Sequence, residues 1–272
     1  MGEHQAEALE AGGEEQDREG EPGELLGSGF ALLPANLSRR LLIDAPPLAI
    51  NLMLPGAAGA SAAGLFEIAR KLSTVPYIVR QSFQYVLAPL SSAQAHADRA
   101  AVGPLYHFAS RVSTALVVPL AGLITFTGPD IPSVYRREAQ AALPLLAILC
   151  AARAVEAIVG PAGTIVEMIG HRALPLLNSL IAFLLWAALA FWLTPTMGAM
   201  GMAIAVSVAV VASTWAAAVE LEISDRLSPF DRKLFQGMAI ALAGVGAIAS
   251  PWNSLRSNGD SRSLISSSNA AA

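Results

Sequence analysis

The chain has 272 residues, of which 54% are hydrophobic and 14% charged, with a formal net charge of −4. A soluble domain carries roughly 25% charged residues, so this composition excludes an ordinary water-soluble globule and puts membrane helices first. The charge is unevenly held: residues 1–26 contain nine acids against Arg18 alone, a net of −8, so the remainder carries +4 and the chain total describes neither part.

Residues 1–37 read as a disordered acidic tail, rich in Glu and Gly and without an apolar run that could bury enough surface to fold. The tail lacks the basic start, apolar core and small-residue cleavage site of a signal peptide. A solvated cytosolic arm and a mis-assigned start are its two readings. Residues 38–252 are expected to form a transmembrane body, and the Ser/Asn/Ala-rich residues 253–272 a second disordered end.

Within the body, spans are expected near residues 42–58, 64–90, 112–127, 139–166, 173–193, 200–219 and 234–250. The fold class is therefore all-α, a polytopic bundle of about six to seven transmembrane helices. Pro46, Pro47 and Pro55 make the first span irregular, which is tolerated where backbone lines a cavity. Gly56 to Gly64, rich in Gly and Ala but without a following Lys-Ser/Thr, reads as a hairpin between helices and not as a phosphate cradle.

The second span carries the most informative residues, because Glu67, Arg70, Lys71 and Arg80 stand in what otherwise reads as membrane helix. An ionisable group in hydrocarbon costs at least roughly 2.5–3.5 kcal/mol, so such groups face a bundle interior or a wet cavity. At 100° per residue Glu67, Arg70, Thr74, Tyr77, Arg80, Gln81 and Gln84 share one half of the wheel, with Lys71 at its edge, and Leu72, Val75, Val79, Phe83 and Val86 take the other. A stripe of guanidinium, amide and hydroxyl groups suits an anionic head group, since Arg forks match phosphate oxygens. The plainer reading pairs Glu67 with Arg70 or Lys71 and lets Arg80 snorkel to an interface. Arg70 and Arg80 lie about 15 Å apart along a helix, too far for one helix end to explain both.

A second intramembrane pair, Arg153 and Glu156, is three residues apart on one face, either as an ion pair locking two helices or with a transport role. Asp44 and Asn51, seven apart, share a face of the first span. Between Arg172 and Glu220 there is no Asp, Glu, Lys or Arg, a run long enough for two spans, with the break at Thr194-Pro195-Thr196-Met197-Gly198.

Basic residues near helix ends set orientation. One side collects Arg39, Arg40, Arg99, Arg111, Arg172, Arg226, Arg232 and Lys233, and the other only Arg136 and Arg137, so the first side is expected to be cytoplasmic. Cys150 is alone in an apolar run and reads as packing. His4, His96, His107 and His171 are too scattered for a metal site. No nucleophile and base pair is apparent, so no enzyme activity, cofactor, metal or nucleic-acid partner is expected.

Ala63-Gly64-Leu65-Phe66 with Ala69-Arg70-Lys71-Leu72, then Ala88-Pro89-Leu90-Ser91-Ser92, then Gly170 with Leu174 and Asn178, then Pro195 with Gly198-Ala199-Met200-Gly201-Met202-Ala203-Ile204-Ala205 form an ordered pattern. In that order and spacing, residues 38–250 resemble the C-terminal half of Wzx-type polysaccharide and lipid-linked oligosaccharide flippases, within the MATE-like exporter superfamily. The resemblance implies one lobe of a two-lobe transporter in a bacterial plasma (inner) membrane. It would move an undecaprenyl-type lipid-linked glycan to the outer leaflet by alternating access, in exopolysaccharide or lipopolysaccharide synthesis. It also implies head-group binding by Arg70, Lys71, Arg80, Gln81 and Gln84, with Asp44, Glu67, Arg153 and Glu156 as a cavity ion pair or ion-coupling groups. Membrane lipid is a further expected partner. The N-terminal lobe is missing from the pattern, which implies a fragment, a partner chain supplying the other lobe, or a self-dimer. A drug/cation antiporter lobe and a non-transporting truncated remnant are the alternatives, and the basic stripe favours anions over cationic drugs.

Overall fold

The computed structural model describes residues 37–38, 40–97, 102–127, 137–169 and 173–247, and among them the fold is all-α. A helical lead-in ending at Asp44 precedes α1 (Pro46–Met53), whose first turn accepts proline because its N–H groups have no intrahelical partner. The following helices are α2 (Gly56–Ala97), α3 (Val102–Thr127), α4 (Leu143–Ile158, entered through a 3-10 turn at Arg137–Ala142), α5 (Ala162–Met168), α6 (Ala173–Met197) and α7 (Ala199–Asp225). A last helix, α8, covers residues 232–247. The two tails assigned from sequence lie outside the described residues, apart from Leu37.

Among the described residues, four helices are long and apolar enough to cross a membrane: Val102–Thr127, Gln140–Ile158, Leu174–Met197 and Ala199–Asp225. The protein is therefore membrane-associated in character, but the expectation of six to seven spans is corrected to four among the described residues. The reasons are local. The expected first span stops where Leu54 turns extended before Pro55 and Gly56, leaving α1 at eight residues, far short of the roughly 20 a crossing needs. The expected second span lies inside α2, whose charges at Glu67, Arg70, Lys71 and Arg80 deprive it of an apolar stretch of spanning length. The expected fourth breaks at Gly160 (φ +60°) and Pro161, so that only its first part is long enough. The expected seventh is described only over residues 232–247. The described helices pack as one bundle, with no two-lobe arrangement among them.

Two further boundaries differ. Gly56 to Gly64 is not a hairpin: the turn falls at Leu54–Gly56, and all nine residues belong to the first turns of α2. The α6–α7 turn is at Gly198 (φ +61°), while Pro195 stays within the last turn of α6. At α7's other end Arg226 adopts the left-handed conformation and the Leu227 N–H reaches back to the Leu221 carbonyl at 3.1 Å, the six-to-one bond of a Schellman stop.

Apolar burial forms two clusters. The larger joins α1, α2, α4, α6 and α7 through Ile50, Phe66, Leu146, Trp186 and Met202, while the smaller joins α3, α5 and α7 through Val102, Tyr106, Ile165 and Leu221. Small buried residues on α7 (Gly201, Ala205, Ala209) let α6 approach closely. Cross-helix bonds fix the directions. Thr114 on α3 donates to the Ala157 carbonyl near the end of α4, and Asn178 near the start of α6 donates to Glu220 near the end of α7. Val102 and Tyr106 at the start of α3 share one apolar cluster with Val159 just past α4, Leu174 at the start of α6 and Leu221 near the end of α7, so these four ends lie on one side, the side flanked by Arg226, Arg232 and Lys233.

Asp231 ties that side together. Its carboxylate caps α8 by accepting from the Leu234 N–H at 2.7 Å and also receives the Arg111 guanidinium of α3. Further along, Gly122 of α3 leaves room for Val245 of α8, where a Cβ would meet the valine methyls at 2.8 Å. The α8 helix therefore runs alongside α3. Because the Arg111–Asp231 pair is partly exposed, Asp231→Ala is expected to lower stability by about 1–2 kcal/mol through the lost cap and ion pair, read as a lower melting temperature in detergent. An unchanged melt would show that α8 docks by its apolar face alone.

Candidate functional site

A cavity of about 350 Å³ lies at the seam between the two apolar clusters, toward the basic side of the bundle. Leu149, Phe66 and Val206 bound it from one cluster, and Val166 and Ala217 from the other. Its polar wall comes mainly from α2, which contributes Arg70, Ser73, Thr74, Tyr77, Arg80 and Gln84. These residues recur every three or four positions, as one face of a helix must. From α4 come Arg153 and Glu156, from α5 Thr164 and Glu167, and from α6 and α7 Asn178, Ser213 and Thr214.

The centre of this wall is a triad across two helices. The Glu156 carboxylate, 1% exposed, accepts from Arg153 Nη1 at 2.6 Å and lies 3.4 Å from Arg80 Nη2. Thr214 Oγ1 is 3.3 Å from Glu156 Oε1 and 3.0 Å from the Val210 carbonyl. Both guanidiniums lie against the Tyr77 ring, their central carbons 4.8 Å (Arg153) and 5.5 Å (Arg80) from its centroid, so cation–π attraction holds them on one platform. Beside this triad Trp215 donates its indole N–H to the Val155 carbonyl at 3.3 Å. One carboxylate therefore serves two cations, and Arg80 Nε is buried without a hydrogen-bond partner among the described residues. A buried donor left unpaired costs about 1–3 kcal/mol, more when charged, so the triad holds unsatisfied capacity for an anion.

Arg70 is differently employed. Its Nε and Nη2 fork onto the two oxygens of Glu67 at 2.8 Å each, and Nη1 donates to the Ile43 carbonyl at 3.1 Å. Asp44 stands 3.9 Å away and also approaches Arg40 at 4.0 Å. Arg70 thus clamps the lead-in of α1 to α2 at the cavity's rim, with Glu67 behind it and outside the lining.

Other residues singled out from sequence fall elsewhere. Lys71 is 76% exposed and 4.0 Å from Glu67. Gln81 donates to the Tyr85 hydroxyl on an exposed face, whereas Gln84 lines the cavity. Asn51 is exposed. Among the described residues no three His, Cys, Asp or Glu side chains converge as a metal site. Sequence reasoning passed over Thr214 and the Asn178–Glu220 bond of 2.8 Å. The available signal was the pair of hydroxyls at Ser213 and Thr214 inside the uncharged run of α7 that ends at Glu220.

Compared with protein-family models, curated proteins and solved structures, the chain matches none. The resemblance to a lobe of a lipid-linked oligosaccharide flippase is therefore corrected. The four spanning helices among the described residues are fewer than a transporter lobe requires, and no match ties the chain to Wzx-type or MATE-like exporters. The antiporter lobe, framed on that same architecture, falls with it.

Proposed function

We propose that this chain is an integral membrane protein that binds the anionic head group of a membrane lipid in the cavity between α2, α4, α6 and α7, with the basic side of the bundle toward the cytoplasm. One observation carries this reading: Arg80 and Arg153 share the single buried carboxylate of Glu156, and Arg80 Nε has no partner among the described residues. An oxyanion arriving there would supply the acceptor that the unpaired donor lacks. The volume of about 350 Å³ lies at the low end of small-molecule sites, which suits a head group more than a whole lipid, and the apolar residues around it suit the adjoining tail. The positive-inside rule supports the orientation, since Arg226, Arg232 and Lys233 follow α7 on the cavity's side. Binding, not catalysis, is the role proposed.

The test titrates the purified chain in a neutral detergent with phosphatidylglycerol, counting bound lipid by native mass spectrometry. Arg80→Ala is expected to weaken binding about 10- to 100-fold, the worth of one hydrogen-bonded charge, while Lys71→Ala on the exposed face leaves it unchanged. Equal loss from both variants would place the lipid on the surface and not in the cavity.

A further inference from the structure

The cavity's charges also select among anions. Three arginines line it, Arg70, Arg80 and Arg153, against two glutamates, Glu156 and Glu167. Within the triad, two guanidiniums face one carboxylate. The triad by itself leaves a single positive charge for a ligand to meet, Glu167 having an interaction of its own. Arg70 adds nothing further, because Glu67 and Asp44 already face it. Thr214 is uncharged, and the Glu220 carboxylate accepts from Asn178.

We infer that Glu156 sets the charge class of the ligand: with its carboxylate in place the cavity takes a singly charged phosphodiester in preference to a doubly charged phosphomonoester. This inference rests on the lipid-binding reading above. A phosphodiester brings one charge and matches the one left over. A monoester at pH 8 brings close to two, and its second charge faces the Glu156 carboxylate across the same pair of guanidiniums. Like charges brought together in a desolvated site lose affinity steeply, and a repulsive group built into a pocket is how one ligand is rejected while another is kept. Glu156 is held in that position by Arg153 at 2.6 Å and by full burial, so it cannot swing aside into water. The chemistry read here is that of the phosphate ester, whether borne on a lipid or free.

The experiment uses the full chain in phosphatidylcholine nanodiscs at pH 8. One pair of arms dopes the discs with phosphatidylglycerol or phosphatidic acid, and another adds free dimethyl phosphate or methyl phosphate. Wild type is expected to prefer the diester of each pair about tenfold or more, with preference only in the lipid arms if the tail is needed and in both if the ester suffices. Glu156→Gln, equal in volume and neutral, is expected to reverse the preference, and Glu156→Asp to keep it. Wild type binding the monoester as tightly as the diester, or Glu156→Gln leaving the order unchanged, overturns the inference. The wild-type comparison stands by itself if Glu156→Gln does not fold. Binding that is lost in Arg80→Ala but shows the wrong order overturns this inference alone, whereas no binding by wild type overturns the lipid-binding reading with it.

Discussion

Glu156→Ala is expected to lower stability by about 3–5 kcal/mol, the range for breaking a buried ion pair by removing one partner. The deletion leaves Arg153 and Arg80 facing each other across the Tyr77 ring with no counter-charge, in a region only 11–22% exposed at their side chains. Thr214 keeps its bond to the Val210 carbonyl and offers no replacement. The same physics predicts the opposite for a concerted change. Replacing Arg80, Arg153 and Glu156 together by Met, Met and Leu removes both the charges and their desolvation cost, and such swaps are often neutral or stabilising by 1–4 kcal/mol. Melting temperatures in detergent test both. A triad kept for stability predicts that the triple variant melts below wild type, whereas a triad kept for binding predicts a stable protein that has lost its anion.

Gly201→Leu is expected to separate α6 from α7, at a cost of about 3 kcal/mol or a failure to fold. A Cβ at Gly201 would lie 2.3 Å from the Leu193 carbonyl oxygen and 2.9 Å from the Thr194 nitrogen. These are backbone atoms of the facing helix and cannot rotate away. Ala205 and Ala209, one and two turns further along, continue the same close approach, so the strain would spread down the hairpin. Loss of helical circular dichroism on mild heating is the readout. A Leu variant that melts with wild type would mean that the two helices slide past each other without cost.

The sequence made the stripe on α2 readable because a helix repeats its face every 3.6 residues, and the positions from Arg70 to Gln84 obey that spacing. The α6–α7 hairpin was readable from its uncharged length, and Arg153 and Glu156 are neighbours by spacing alone. What spacing cannot encode is which face meets which. Arg80 and Glu156 are 76 residues apart, and only packing of α2 on α4 brings them to 3.4 Å. Spacing did offer Glu67 as a partner for Arg70 within its own helix, as found, but it could not show that Arg80, on the same stripe, reaches another helix. The count of spans failed for a related reason. Hydropathy averaged along the chain passes over a break made by two residues, and Leu54–Pro55 and Gly160–Pro161 each end a helix that average composition would continue.

The indole of Trp215, hydrogen-bonded to the carbonyl next to Glu156, places a fluorophore beside the cavity. The chain has four tryptophans, at 186, 192, 215 and 252, and replacing the other three by Phe would leave one emitter fixed to the α4 backbone. A charge entering or leaving the triad alters the electric field at that ring, and its emission maximum moves with the field. Occupancy of the pocket could then be followed by light in an intact membrane, without a labelled ligand.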